Sequence, residues 1–270
     1  MQILNISGYK FITLSELPEL QTALLNQAKT SVLKGTILLS VEGINLNLAG
    51  MPENLAVFLT ALRADLRFTD MTFRESYSAE QPFKHMKVKL KDEIITLREP
   101  NINPAVKTAP AISPREFKQW LDEKRDIVVL DTRNDYEVRF GTFTDAQHLQ
   151  LDDFSDFPAA VTKVVSDKPV VMCCTGGIRC EKAAAVMLNA GYSAVYQLQG
   201  GILNYFAEVG GDHYQGECFV FDQRVAVDPS LQATGTVQCR ICQGPVTKSQ
   251  QITPYYIPNV SCHACVNHLT

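Results

Sequence analysis

The stretch Val170-Val171-Met172-Cys173-Cys174-Thr175-Gly176-Gly177-Ile178-Arg179-Cys180-Glu181-Lys182-Ala183-Ala184-Ala185-Val186-Met187 decides how the rest of the chain is read. An apolar run ending in cysteine reads as a buried strand, a pair of glycines as a tight loop, and the run after it as a helix. A thiol placed where a strand gives way to a helix is surrounded by inward-pointing backbone N–H groups and by the positive end of the helix dipole. Such a thiol ionises readily. Packing alone accounts for Cys173, which continues the strand, because free cysteine is among the most buried residue types. It accounts poorly for Cys174, since Thr175, Gly176 and Gly177 describe a ligand cradle better than a packed core.

Working outward, Ser113-Pro114-Arg115-Glu116 is a capping box with proline at the first helical position, and its helix runs through Phe117, Trp120 and Leu121. The apolar run Ile127–Asp131 reads as a second buried strand. Asp131, Arg133 and Glu137 follow at its end, either as catalytic groups or as an ion-pair cluster that fixes the loop beside the cysteine. Beyond the loop come a helix over 181–190, a strand over 194–198 and the turn Gly200-Gly201 before a helix over 202–209. This β-α alternation predicts an α/β domain over 112–215, a parallel sheet with helices on both faces. The cysteine loop then lies at the carboxyl end of a strand, where ligands bind in such sheets.

Residues 1–98 read as β-α-β-β-α-β, the ferredoxin-like arrangement, in an α+β domain. Strands are expected over 3–12, 36–41, 44–48, 71–77 and 88–97. One helix is expected behind a capping box Thr13-x-x-Glu16, and another opens at Pro52. Lys87, Lys89 and Lys91 alternate on the last strand, near Lys84. They form either an edge-protecting face or a surface that contacts RNA. Pro100, Pro104 and Pro110 mark a linker over 99–111.

The chain has 270 residues, 46% hydrophobic and 20% charged, with a net charge of −4. That is the composition of a globular protein with no global charge signal for nucleic acid. No segment reaches the length that spans a bilayer, and the first residues lack a basic flank with a long apolar run, so the chain reads as cytoplasmic with no membrane partner. In that setting its eight cysteines point to thiol chemistry and metal binding rather than disulfides. Cys239-x-x-Cys242 and Cys262-x-x-Cys265, with residues 243–261 between them, have the spacing of a structural zinc site within the segment 216–270. His263 or His268 is an alternative ligand. Such a ribbon has too little apolar mass to fold unaided.

The loop and its strands resemble the rhodanese fold. A narrower resemblance, to the bacterial tRNA uridine 5-hydroxylases with a rhodanese-like domain, rests on an ordered set of blocks. These are Gly35–Leu39, Glu42–Asn45, Pro82-Phe83-Lys84, Asp131–Glu137, Cys174–Lys182 and Gly216–Asp222. The resemblance implies an acylphosphatase-like or ferredoxin-like first domain and oxygen-dependent hydroxylation at C5 of the tRNA wobble uridine. It also implies that Cys174 is the active cysteine, as thiolate or persulfide. Arg179 and the cradle Thr175, Gly176, Gly177 and Ile178 would support it. Cys180 is either a resolving thiol or a packing residue.

Counted from Cys174 the loop has the length rhodaneses use for sulfur, whereas Cys173 with Arg179 gives the Cys-x5-Arg spacing of a phosphatase. No dinucleotide fingerprint or two-histidine-one-carboxylate spacing is found, and no organic cofactor is expected. Molecular oxygen would be a substrate, tRNA the partner, and DNA is not expected. The alternative reading is a sulfurtransferase that moves sulfane sulfur from thiosulfate or a persulfide donor.

Overall fold

The computed structural model of the protein describes residues 2–164 and 167–266. The chain divides into two units, 1–108 and 109–270.

In the first unit, β1 (Ile3–Phe11), α1 (Leu17–Thr30), β2 (Lys34–Ser40), β3 (Gly43–Gly50), α2 (Pro52–Ala64) and β4 (Arg74–Ser78) are followed by β5 (Met86–Leu90). The sheet order is β4-β1-β3-β2-β5. Its first four strands are antiparallel neighbours, and β5 adds to the outer edge parallel to β2. One apolar face of the sheet, with Ile6, Ile37, Leu39, Leu46 and Leu48, packs on Leu24, Leu55, Phe58 and Leu62 of the two helices.

The expected capping box at Thr13 and Glu16 does not form. The Leu14 N–H donates to the carbonyl of Val41, which ties this segment to the end of β2, and the chain turns helical only after Glu16, which takes a left-handed conformation without a side-chain cap. The last strand is also shorter than expected. After Leu90 the backbone turns, with the Ile94 N–H donating to the Glu42 carboxylate and those of Leu97 and Arg98 to the Glu93 carboxylate.

The second unit begins with β6 (Ala111–Ile112), α3 (Pro114–Asp122), β7 (Val128–Asp131), α4 (Asp135–Val138), β8 (Gly141–Phe143) and β9 (Gln147–His148). It continues through α5 (Phe157–Ala160), β10 (Val170–Cys173), α6 (Ile178–Asn189), β11 (Val195–Leu198) and α7 (Gly201–Val209). The sheet order is β6-β11-β10-β7-β9, all parallel, so β10 with its cysteine end is the central strand. Ser113 caps α3 as expected, accepting from the Glu116 N–H at 3.2 Å. Helix α3 packs on α7 and α5 on α6.

Short strands then complete the unit: β12 (Tyr214–Gly216), β13 (Cys218–Phe219), β14 (Ala226–Val227), β15 (Val237–Gln238) and β16 (Pro245–Val246), with α8 (Lys248–Gln251). Strand β12 pairs with β8 in a separate two-stranded sheet, which ties the segment after α7 to the one after α4. Around β15 and β16 the packed core consists of the four cysteines, Val246 and a few half-buried neighbours. That is too little apolar surface to stabilise a ribbon by itself. No helix among the described residues is long and apolar enough to cross a membrane.

Candidate active site

Because β10 is the central strand, residues 174–177 leave the sheet at its carboxyl edge and turn directly into α6. Gly177 makes the turn with a φ of 96°, in the left-handed region that glycine adopts without strain. The loop is fixed from behind by α7. The N–H of Ile202 donates to the Cys174 carbonyl at 2.9 Å and that of Leu203 to the Thr175 carbonyl at 3.1 Å. Gly201 permits this approach, since a Cβ there would lie 2.4 Å from the Cys174 carbonyl oxygen. The sequence marked Gly200-Gly201 only as a turn, and the glycine pair was the local sign of this contact.

The Cys174 sulfur accepts the Gly177 N–H at 3.1 Å. Burial pushes this thiol up, but the Cys180 hydrogen bond, the Arg179 charge and the amides of Arg179 and Cys180 outweigh it and bring it down to about 5. Its neighbours move the other way. Burial, with the Asp131 carboxylate adding, holds Cys173 well above the usual thiol range. Burial and the hydrogen bond to Cys174 do the same for Cys180. Of these three thiols in one buried region, only Cys174 is shifted towards the thiolate, while Cys173 and Cys180 are both pushed up.

Arg179 and Glu137 are both buried and form a two-pronged pair, with Nη2 donating to Oε1 at 2.8 Å and Nη1 to Oε2. Thr175 donates its hydroxyl to Glu137 Oε1 at 3.3 Å, so it braces the pair rather than meeting the sulfur. A second buried pair lies beside the first. Arg133 donates Nε and Nη2 to Asp131 at 2.9 and 2.6 Å, and Thr142 donates to the same carboxylate at 2.7 Å. Arg133 Nη2 also donates to the Gly141 carbonyl at 2.6 Å, tying β7 to β8. The residues expected as one cluster are thus two pairs. One holds the arginine that faces the thiol, and the other holds the strand ends.

Of the remaining cradle residues, Gly176 and Ile178 are half-buried, and a Cβ at Gly176 would meet nothing within 4 Å, so the crest of the loop is open. Cys218 is buried in the same core cluster as Cys173, where burial pushes it up to about 12. In the first unit Lys84, Lys87 and Lys89 are exposed, the last two on the edge strand β5 on either side of buried Val88.

The second cysteine set is brought together by β15, β16 and the turns around them. The sulfurs of Cys239, Cys242, Cys262 and Cys265 all lie within 4.8 Å of one another. Three pairs are separated by 3.5, 3.7 and 3.9 Å. His263 is turned to Gln250, with its Nε2 at 3.0 Å from the amide nitrogen, and His268 lies outside the described residues. Arg139, immediately after α4, donates Nη1 to the Cys242 carbonyl at 2.7 Å and packs where a Cβ on Gly244 would stand. Nothing local in the sequence announces this contact, because its partners are 103 positions apart.

Two family models match the chain: residues 3–94 the UPF0176 acylphosphatase like domain, and residues 113–208 the rhodanese-like domain. A protein of Cupriavidus taiwanensis named tRNA uridine(34) hydroxylase is 50% identical, over 98% of this chain and 97% of its own length. Proteins with the same name from Cupriavidus metallidurans and Ralstonia nicotianae are each 48% identical, the first over 100% of this chain and 99% of its own, the second over 99% and 98%.

Proposed function

The chain belongs to the tRNA uridine(34) hydroxylase family, and on that footing we propose that it hydroxylates C5 of the wobble uridine of tRNA with Cys174 as the reacting thiol. The observation that carries the role of Cys174 is its sulfur accepting the Gly177 N–H at the start of α6, with the Cys180 hydrogen bond and the Arg179 charge bringing the thiol down to about 5. At neutral pH such a thiol is mostly thiolate. Family membership at this coverage favours hydroxylation over the sulfurtransferase alternative, which rests on the loop by itself.

The thiolate acts in one of two ways. It adds to C6 of the uracil ring, moving the C5–C6 electron pair onto C5 and making that carbon a nucleophile, or it carries an oxidised or persulfidated sulfur. In the first, C5 attacks dioxygen. The second oxygen atom leaves as water, taking two electrons and two protons from a donor outside the chain. Loss of the C5 proton then returns the electron pair to the ring and expels Cys174. Arg179, held by Glu137, keeps the sulfur ionised between turnovers.

The four C-terminal cysteines are assigned to structural zinc. Zinc–sulfur bonds of about 2.3 Å in a tetrahedron place the sulfurs about 3.8 Å apart; three of the six pairs lie 3.5 to 3.9 Å apart, and all lie within 4.8 Å. Exposed Lys84, Lys87 and Lys89 are assigned to the RNA backbone, where ammonium groups displace counterions. A reaction on tRNA fits a protein that works in the cytoplasm.

Nucleoside mass spectrometry of tRNA tests the reading. Cells without the gene lose 5-hydroxyuridine derivatives, wild type restores them, and Cys174→Ser restores none. Full restoration by Cys174→Ser would overturn the role of the thiol, and loss of thiolated nucleosides instead would favour sulfur transfer.

A further inference from the structure

Phe221 is 61% exposed, yet it stands on a rigid base. Its ring meets Phe219 edge to face at 5.2 Å, and Phe219 in turn meets Tyr136 at 5.3 Å and Phe140 at 5.1 Å. The backbone beneath is fixed by the Val220 N–H donating to the Val225 carbonyl at 2.9 Å. The Arg224–Asp222 pair, at 2.6 and 2.9 Å, closes the turn. One edge of this aromatic stack reaches the reactive centre, since the Arg179 guanidinium lies 5.9 Å from the Phe221 ring centre. The Arg179 charge is also one of the groups that favour the Cys174 thiolate. A large apolar ring is thus held out to solvent on a built support, one side chain away from the Cys174 loop.

Resting on the tRNA reading above, we infer that Phe221 is the stacking platform for a base of the single-stranded anticodon loop, which it holds over Arg179 beside the Cys174 loop. Sequence-bearing contacts to RNA fall on unstacked bases of loops, and aromatic faces and guanidinium planes are what such bases stack on. A Cβ built on Gly176 would meet nothing within 4 Å, so the crest of the cysteine loop is itself open. The ring contributes binding and orientation and takes no part in bond making.

The test uses the full-length protein and a fluorescein-labelled anticodon stem-loop with uridine at the wobble position, followed by anisotropy. Phe221→Ala and Phe221→Leu weaken binding by roughly tenfold, the range for one lost base–aromatic stack. Phe221→Trp stays within about twofold of wild type, and its new indole is quenched as unlabelled RNA binds. The chain has one other tryptophan, Trp120, packed on Tyr196 and Arg125, which gives a steady background. Binding by Phe221→Leu as tight as wild type would overturn the inference, because an apolar patch would then suffice. Absence of quenching in Phe221→Trp would overturn it even if the smaller variants failed to fold. Wild type that neither binds nor hydroxylates the stem-loop would instead sink the tRNA reading itself.

Discussion

Cys174 and Cys239 are both buried cysteines of one folding unit, and their surroundings differ in what they offer a sulfur. Cys174 looks at backbone N–H groups, a thiol and a guanidinium, so its negative charge is met by the protein and its lone pairs are kept for chemistry. Cys239 looks at three other sulfurs within 4.8 Å. Two thiolates at such a distance repel by about 4 kcal/mol at an effective dielectric of 20, so four cannot ionise together without a cation between them. A lone thiol among donors is therefore poised to react, whereas four thiols facing each other are poised to be closed off by a metal. The two sets touch through Arg139, which follows α4 and holds the Cys242 carbonyl, while α4 itself carries Glu137.

The sharpest way to break this contrast is to remove the ligands. Elemental analysis of the purified protein is expected to find one zinc per chain, and Cys239→Ser/Cys242→Ser none. A structural zinc contributes on the order of 10 kcal/mol, so limited proteolysis is expected to cut residues 237–266 in that variant. Iodoacetamide is still expected to modify Cys174. If Cys174 became inert as well, the two sets would not be independent.

A smaller effect is expected at Gly201→Ala. The added Cβ meets the carbonyl oxygens of Cys174 and Thr175 at 2.4 and 2.8 Å, in a backbone conformation with φ of 70°. Strain on the order of 3 kcal/mol lowers the Tm by ~10 °C and slows alkylation of Cys174. An unchanged melting curve would show that the loop does not depend on α7.

The smallest effect sharpens the electrostatics. In wild type, alkylation of Cys174 rises with pH through about 5 and is level above it, since the thiolate is the nucleophile. Replacing the buried pair together, Arg179→Gln/Glu137→Gln, avoids stranding a carboxylate. The midpoint then moves up, and at pH 6 the rate falls by about tenfold for each unit that the midpoint rises above the assay pH. A midpoint that stays put would assign the ionisation to the amides and Cys180 alone.

Local chemistry made several of these features legible. The apolar run into Cys173, the glycines after Cys174 and the two Cys-x-x-Cys pairs are patterns over a few residues, where strand, loop and ligand spacing are set by chain geometry. The α-β alternation around them was enough for the parallel sheet, and β-α-β-β-α-β for the first unit. The capping box at Thr13 misled because a tertiary hydrogen bond, Leu14 to Val41, outweighed a local one. Asp131, Arg133 and Glu137 were recognisable as charges needing partners, but not as two separate pairs, since Arg179 lies 42 positions beyond Glu137.

What the sequence by itself determined was which residues carry the chemistry: one thiol in a strand–loop–helix and four at metal spacing. What only the tertiary structure decided was their electrostatic state and their company. Gly201 behind the loop, Arg139 on the Cys242 knuckle and Phe221 above Arg179 are contacts between distant segments. A charge or a close approach has no energy until folding brings its partner within a few ångströms and removes the water between them.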